Sequence, residues 1–280
     1  MKKRLLILLL LAAVATGWAT VAASGNGGPS PGVAQGWDGI VAPSGDLRYV
    51  ALPARRSTSV AAVRMRGGRV VRFGWVRGSW GIPMVTWNGA TGGLSADGRT
   101  LVLGHAEGAR FGSESRFLVL DTRRLRPRTT VTLRGVFSFD ALSADARILF
   151  LIEHVSRRDT SRYRVRAYDL MHGRLLERAI VDRREGTNVM RGLPVARAST
   201  TDGRWVYTLY AGGHHPFVHA LDTVRRQAVC IDLPWRGKQD ALWQTRLAVG
   251  SDERRLVLRR QGDGRALLTI DTRSFRVLRR

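Results

Sequence analysis

Residues 94–104 read LSADGRTLVLG: a small polar turn, Ser95-Ala96-Asp97-Gly98-Arg99, runs into an apolar stretch, Leu101-Val102-Leu103, with no polar alternation. The turn recurs. Ser44-Gly45-Asp46 precedes Tyr49-Val50-Ala51, Ser143-Ala144-Asp145 precedes Ile148 to Ile152, Thr200-Thr201-Asp202 precedes Trp205-Val206-Tyr207, and Gly250-Ser251-Asp252 precedes Leu256-Val257-Leu258. The aspartates at 46, 97, 145, 202 and 252 set a period of about 50 residues, within the range of radial four-stranded repeats. A second marker keeps the same step: Asp121-Thr122, Asp169-Leu170, Asp222-Thr223 and Asp271-Thr272 each end an apolar run and open a turn.

Two phased markers make four strands per repeat. In the third repeat they predict strands near Phe137–Leu142, Ile148–Ile152, Arg164–Tyr168 and Leu175–Val181. No long helical periodicity follows residue 36. A strand that is apolar throughout has both faces buried, so the second strand of each unit is expected to lie between neighbouring units. The predicted architecture is all-β, a β-propeller of about five four-stranded blades over residues 37–280.

The stretches LSADGRTLVLG, TTDGRWVYTLY and HALDTVRRQAVCIDL resemble the YVTN and TolB-type propeller repeats, which share a WD-like blade plan. The likeness covers about 37–280, although the turn proline and the YVTN tetrapeptide are absent from this chain. It implies a propeller fold. Proteins with such repeats include binding scaffolds, accessory proteins and some enzymes, so activity has to be argued from the site.

The N-terminus carries a different signal. Met1-Lys2-Lys3-Arg4 is followed by an apolar run from Leu5 to Ala15 and by small residues at Val21-Ala22-Ala23. Residues 1–23 therefore read as a signal peptide, or as an uncleaved anchor that would be the chain's only tie to a membrane. Residues 24–36, rich in Gly, Ser and Pro, read as a flexible linker. The expected location is extracytoplasmic: secreted or associated with the cell envelope.

The formal charge is +24, and nearly all of it is arginine, since only Lys2, Lys3 and Lys238 are lysines. Two readings stand: a surface for an anionic polymer or an acidic partner, or an arginine-favouring base composition. Export argues against nucleic acid as the partner. Cys230 is the only cysteine, so no internal disulfide forms, and its apolar neighbours place it in a buried strand.

Phase points to two sets of candidate site residues. An aromatic followed by a polar residue opens the first strand of most repeats: Trp37-Asp38, Trp87-Asn88, Phe139-Asp140 and Trp243-Gln244, at steps of 50, 52 and 104, with Arg191-Gly192 at the odd place. If first strands are innermost, these residues ring the channel mouth, either as a ligand site or as packing with bound water. The second set is His105, Glu153, His154 and His214 in the connections after second strands, where a metal would need three or four donors to converge. His215 and His219 are too far apart in an extended strand to share one ion. Trp75, Trp80, Trp235 and Trp243 cluster in or near Gly- and Pro-rich connections, and two readings stand: surfaces that stack sugars or bind an anionic polymer, or simple loop packing.

No nucleophile elbow, phosphate loop or calcium loop is present, and no cofactor is expected. The leading expectation is a monomeric binding or scaffold protein that engages a protein partner or an anionic envelope polymer. The alternative is a metal-assisted hydrolase or lyase carried by His105, His154, His214, Asp38 and Asp140 at the channel mouth.

Overall fold

The computed structural model describes residues 30–107, 111–184, 186–212 and 215–278; the segment 1–23 and His214 lie outside them. The chain opens with a two-residue strand, β1 (Val33–Ala34). A first antiparallel sheet follows, β2 (Gly36–Val41), β3 (Leu47–Ala54), β4 (Ser57–Arg64) and β5 (Val70–Arg77), ordered as in the sequence. The second contains β6 (Trp80–Pro83), β7 (Thr100–His105), β8 (Glu114–Asp121) and β9 (Arg126–Arg134), and β1 joins its inner edge by pairing with β6. The third contains β10 (Val136–Leu142), β11 (Ile148–His154) and β12 (Arg162–Asp169), with β13 (Arg174–Leu175) and β14 (Met190–Arg191) both on β12. The fourth runs β15 (Leu193–Ser199), β16 (Trp205–Ala211), β17 (Phe217–Asp222) and β18 (Gln227–Asp232). A 3-10 turn at Gln239–Gln244 leads into the fifth, β19 (Thr245–Val249), β20 (Arg255–Arg260), β21 (Ala266–Asp271) and β22 (Val277–Leu278).

The unalternated second strands are explained by what lies on each side of them. Leu101 and Leu103 of β7 pack with Tyr49, Ala51 and Val60 of the first sheet, whereas Val102 between them packs with Phe137, Leu149 and Leu151 of the third. In β11, Leu149 and Leu151 face the second sheet, and Phe150 and Ile152 face Val206 and Leu221 of the fourth. In β16, Tyr207 and Leu209 join Leu247, Leu256 and Ile270 of the fifth. Each fully buried aliphatic or Phe side chain contributes about 1.5–3 kcal/mol, so these four seams dominate the stability. Among the described residues no such core joins the fifth sheet to the first, and Phe73 and Trp75 of β5 stand exposed.

The repeated turns are self-capped. Ser95 Oγ donates to Asp97 (2.6 Å), Asp97 accepts the Arg99 amide (3.0 Å), and the Thr100 amide donates back to Ser95 Oγ (3.0 Å). Ser143/Asp145 and Thr200/Asp202 repeat this pattern. The two markers are also tied to each other. The threonine hydroxyls of the Asp-Thr turns, Thr122, Thr223 and Thr272, donate to the carbonyls of Gly98, Gly203 and Glu253 in the first turn of the same sheet. In the third sheet Leu170 replaces the threonine, and the backbone bond found in all four, here from the Leu170 amide to the Arg147 carbonyl (2.9 Å), keeps the markers in phase.

Three local expectations are corrected. The linker ends before 33, because the Val33–Ala34 backbone satisfies its hydrogen bonds against β6. The fourth strand of the third sheet is broken into β13, a single bridge at Ile180, and β14. The first strand of the second sheet is interrupted: after Pro83 the chain makes an excursion and returns only at Leu94, opposite Leu101.

The turn geometry yields a stability test. Gly203 has φ +72°, and a Cβ there would sit 2.8 Å from the Ala96 Cβ. Ala146 occupies the equivalent place at φ 55°. Gly203→Ala is expected to cost about 1–2 kcal/mol in urea unfolding, and Ala146→Gly to raise stability by about 0.5–1 kcal/mol.

Candidate functional site

A cavity of about 320 Å³ is walled by residues of four of the five sheets. Ile40, Gly92, Phe139, Asp140, Arg197 and Thr200 line it. The excursion of the second sheet crosses this region. The Trp87 amide donates to the Pro194 carbonyl of the fourth sheet (2.9 Å), and Thr91 Oγ1 donates to the Gly39 carbonyl of the first (3.1 Å). Gly92 is required where the excursion meets Phe139, since a Cβ would lie 2.8 Å from that ring.

Within this cavity Arg197 of β15 reaches across to β10 and donates to both the carbonyl and the carboxylate of Asp140, while its Nε donates to Thr208 Oγ1 at 3.0 Å. The pair is buried: the side chains are 12% and 3% exposed. Its carboxylate already committed to a cation, Asp140 acts as a tie between the third and fourth sheets.

The predicted channel ring is not assembled. Phe139 and Asp140 line this cavity, but Trp37 and Asp38 are exposed at the start of β2. Trp87 and Asn88 sit in the excursion, where Asn88 accepts a hydrogen bond from Thr86 Oγ1 (2.5 Å). Arg191 lies in β14 and pairs with Asp159. Trp243 packs on the core of the fourth and fifth sheets, and Gln244 ends the 3-10 turn. A ring set by phase needs a regular first strand in every sheet, and the excursion and the irregular passage from the third to the fourth sheet break that regularity.

The metal set is likewise dispersed. His105 stands edge-on to Trp80 (centroids 5.2 Å apart), and burial followed by the Arg116 charge lowers its pKa. Glu153 pairs with Arg166 (2.7 Å). His154 lies between Ser138 Oγ and the Thr160 carbonyl, and burial pushes its pKa down to about 4. Among the described residues no three His, Cys, Asp or Glu side chains converge.

A second feature lies between the fourth and fifth sheets: a groove of about 350 Å³ lined by Trp235, Arg236, Gln244, Arg260, Leu267 and Leu268. Its aromatic wall is held in place. The Trp235 amide donates to the Leu233 carbonyl (2.7 Å), its Nε1 donates to the Lys238 carbonyl (3.3 Å), and Gly237 lets the backbone pass the indole at a distance where a Cβ would be only 3.0 Å away. The 3-10 turn is pinned by fully buried Leu242 and by Thr245 Oγ1, which donates to the Leu242 carbonyl (2.6 Å). The Gln261 amide donates to the Gln244 carbonyl (2.8 Å), tying the far rim to the near one. An indole, two guanidinium groups and a carboxamide thus share one groove. Of the four tryptophans that stand as candidate stacking surfaces, Trp80 is buried, Trp75 is exposed on β5, Trp243 packs inward, and Trp235 forms this wall. Arg260 was missed because it sits in β20, a full repeat element away from the PWRG stretch.

Cys230 corrects a further expectation. It is half-buried on β18 and lines a cavity of about 190 Å³ between the third and fourth sheets. Its amide donates to Asp182 Oδ2 (2.7 Å), and its carbonyl accepts from Arg184 (2.9 Å). Burial opposes charge on Asp182, but hydrogen bonds from the Arg184 side chain and from the Arg184 and Cys230 amides outweigh it and hold the pKa down to about 2.

No family model and no curated protein matches this chain. Solved structures do resemble it. The β-propeller domain of Cps50 (Swd1) from Myceliophteria thermophila is 14% identical, with 87% of this chain and 67% of that one covered and a TM-score of 0.49. A putative TolB from Agrobacterium tumefaciens is 14% identical, with 85% and 77% covered and a TM-score of 0.48. The dihydro-heme d1 dehydrogenase NirN in complex with DHE is 16% identical, with 88% and 48% covered and a TM-score of 0.45. The repeat architecture itself rests on the five antiparallel sheets in chain order and the cores between neighbouring sheets.

Two measurements check the polar ties. Arg197→Met leaves the Asp140 carboxylate buried without its cation and is expected to cost about 3–5 kcal/mol, whereas the Asp140→Asn/Arg197→Met double variant loses much less. Asp182→Asn is expected to cost about 1–2 kcal/mol at pH 7. Because the folded-state pKa of Asp182 is depressed, its contribution is present above pH 4 and is lost as pH falls toward about 2, so the two unfolding curves should converge over that window.

Proposed function

We propose that this protein is an extracytoplasmic five-bladed propeller that binds an acidic polysaccharide of the cell envelope in the groove between its fourth and fifth sheets. The observation that carries this reading is the fixed indole of Trp235 set beside Arg236 and Arg260. An aromatic face suits the apolar face of a sugar ring, and guanidinium forks suit carboxylate or phosphate substituents. The Gln244 side chain offers both a donor and an acceptor for hydroxyls. The formal charge of +24 supplies long-range attraction to a polyanion, and the N-terminal segment supports export.

The test is the affinity of the full chain for polygalacturonate across a range of salt, with neutral dextran as control. Trp235→Ala is expected to weaken binding about tenfold, close to 1.4 kcal/mol, at every salt concentration. Arg236→Gln/Arg260→Gln is expected to weaken binding and to flatten the salt dependence. Binding unchanged in both variants, or equal binding to dextran, would overturn the reading. Retention of a protein by the wild type and not by Trp235→Ala, with no polysaccharide bound, would instead assign the groove to a protein partner.

A further inference from the structure

The outer strand of an open sheet presents a row of unpaired N–H and C=O groups, a template on which another chain can pair. Four of the five outer edges here are blunted. β9 carries Pro127 between Arg126 and Arg128. In the third sheet β13 and β14 have two residues each, and β22 of the fifth sheet also has two. β18 is capped, since the Cys230 amide donates to Asp182 and the Cys230 carbonyl accepts from Arg184. β5 has none of these devices. It is eight residues long, contains no proline, and exposes Val70, Phe73 and Trp75, the last two at 68% and 69%.

The ladder shows which groups β5 offers. The Gly78 amide donates to the Arg56 carbonyl, on the side of β4 (3.0 Å). Along an antiparallel strand successive residues bond to alternate sides. With Ser59 opposite Trp75 and Ala61 opposite Phe73, the backbone groups of Phe73 and Trp75 therefore point away from β4. Among the described residues no backbone partner meets them there. Their side chains extend two rows of the face turned away from the second sheet: Val50 and Ala61 lead to Phe73, and Leu52 and Ser59 lead to Trp75. The same two residues thus offer both edge hydrogen bonds and an apolar face.

Charge selects the occupant. Residues 47–96 contain eight arginines and no lysine, aspartate or glutamate, and Arg69 and Arg77 are exposed at the two ends of β5. A second copy of this strand would bring like charges together, whereas an acidic strand would meet opposite charge. We propose that β5 is the docking edge for an extended acidic segment of a partner protein, which joins the first sheet as an added strand. Main-chain bonds to Phe73 and Trp75 supply affinity. Aliphatic side chains at alternate positions of the segment lie beside the two rings, and its carboxylates meet the arginines.

The test is fluorescence anisotropy of a labelled peptide, Glu-Val-Asp-Val-Glu-Val-Asp-Val, titrated with the full chain, against a control peptide with Lys at every Glu and Asp. The wild type should bind the acidic peptide and not the basic one, and binding should weaken as salt rises. Phe73→Pro removes an outward N–H and leaves the β4 ladder intact, so it should weaken binding by about tenfold or more. Trp75→Ser, which keeps the edge and loses the ring, should weaken it about tenfold, and Trp75→Phe should restore most of the loss. The bound peptide should slow hydrogen exchange within residues 70–77. Trp235→Ala should bind the peptide as the wild type does, so this edge and the polysaccharide groove stand or fall separately. No binding by the wild type, equal binding of the two peptides, or unchanged binding by Phe73→Pro would overturn the proposal. Sedimentation of the wild type as a dimer that Phe73→Pro abolishes would overturn it in favour of a second copy. If Phe73→Pro fails to fold, Trp75→Ser and the exchange measurement decide the matter.

Discussion

Face-to-face packing of neighbouring four-stranded sheets is the constraint on which the rest of the molecule depends. Each central strand is apolar on both sides because a sheet lies on both sides, and the alternation expected of a half-solvated strand is absent from β7, β11 and β16 for that reason. Four such seams run in chain order. The turn chemistry keeps the sheets in register: in the first four sheets a Ser or Thr and an Asp close the first turn, and in three sheets a threonine from the other marker hooks onto that turn. Polar ties are few and sit where two sheets would otherwise slide, as Arg197 and Asp140 do.

The features legible in the residues were those with local physical causes. The turn aspartates bond their own backbones, as at Asp97 and Asp222, and so leave a short, recurring signature. The second strands leave unbroken apolar runs. What escaped sequence reasoning depended on nonlocal geometry. Nothing near Trp87 announces that residues 84–92 leave the strand and bond to the fourth and first sheets. The candidate ring presumed five equivalent inner strands, and the candidate metal set presumed that loop side chains turn toward one another. Instead His105, Glu153 and His154 each satisfy a partner within their own sheet. Cys230 looked like an ordinary core residue because the broken fourth strand of the third sheet, which opens the cavity beside it, carries no sequence mark.

Irregularity and function are linked here in a physical way. The regular parts of the blades fill their own space, leaving little room for a ligand. Space opens where a strand fails to complete: beside β13 and β14 in the third sheet, and along the 233–244 connection before the fifth. Both places have fixed backbones, one clamped by Asp182 and Arg184 and the other by Leu242, Thr245 and Gln261, so side chains there are preorganised without being buried.

The central functional claim is that a polyanion is held between the fourth and fifth sheets. Hydrogen–deuterium exchange of the full chain, measured with and without polygalacturonate, tests it most directly. Protection confined to residues 234–244 and 259–268 is the predicted result. Protection centred on the exposed Phe73 and Trp75 of the first sheet, or none anywhere, would contradict it.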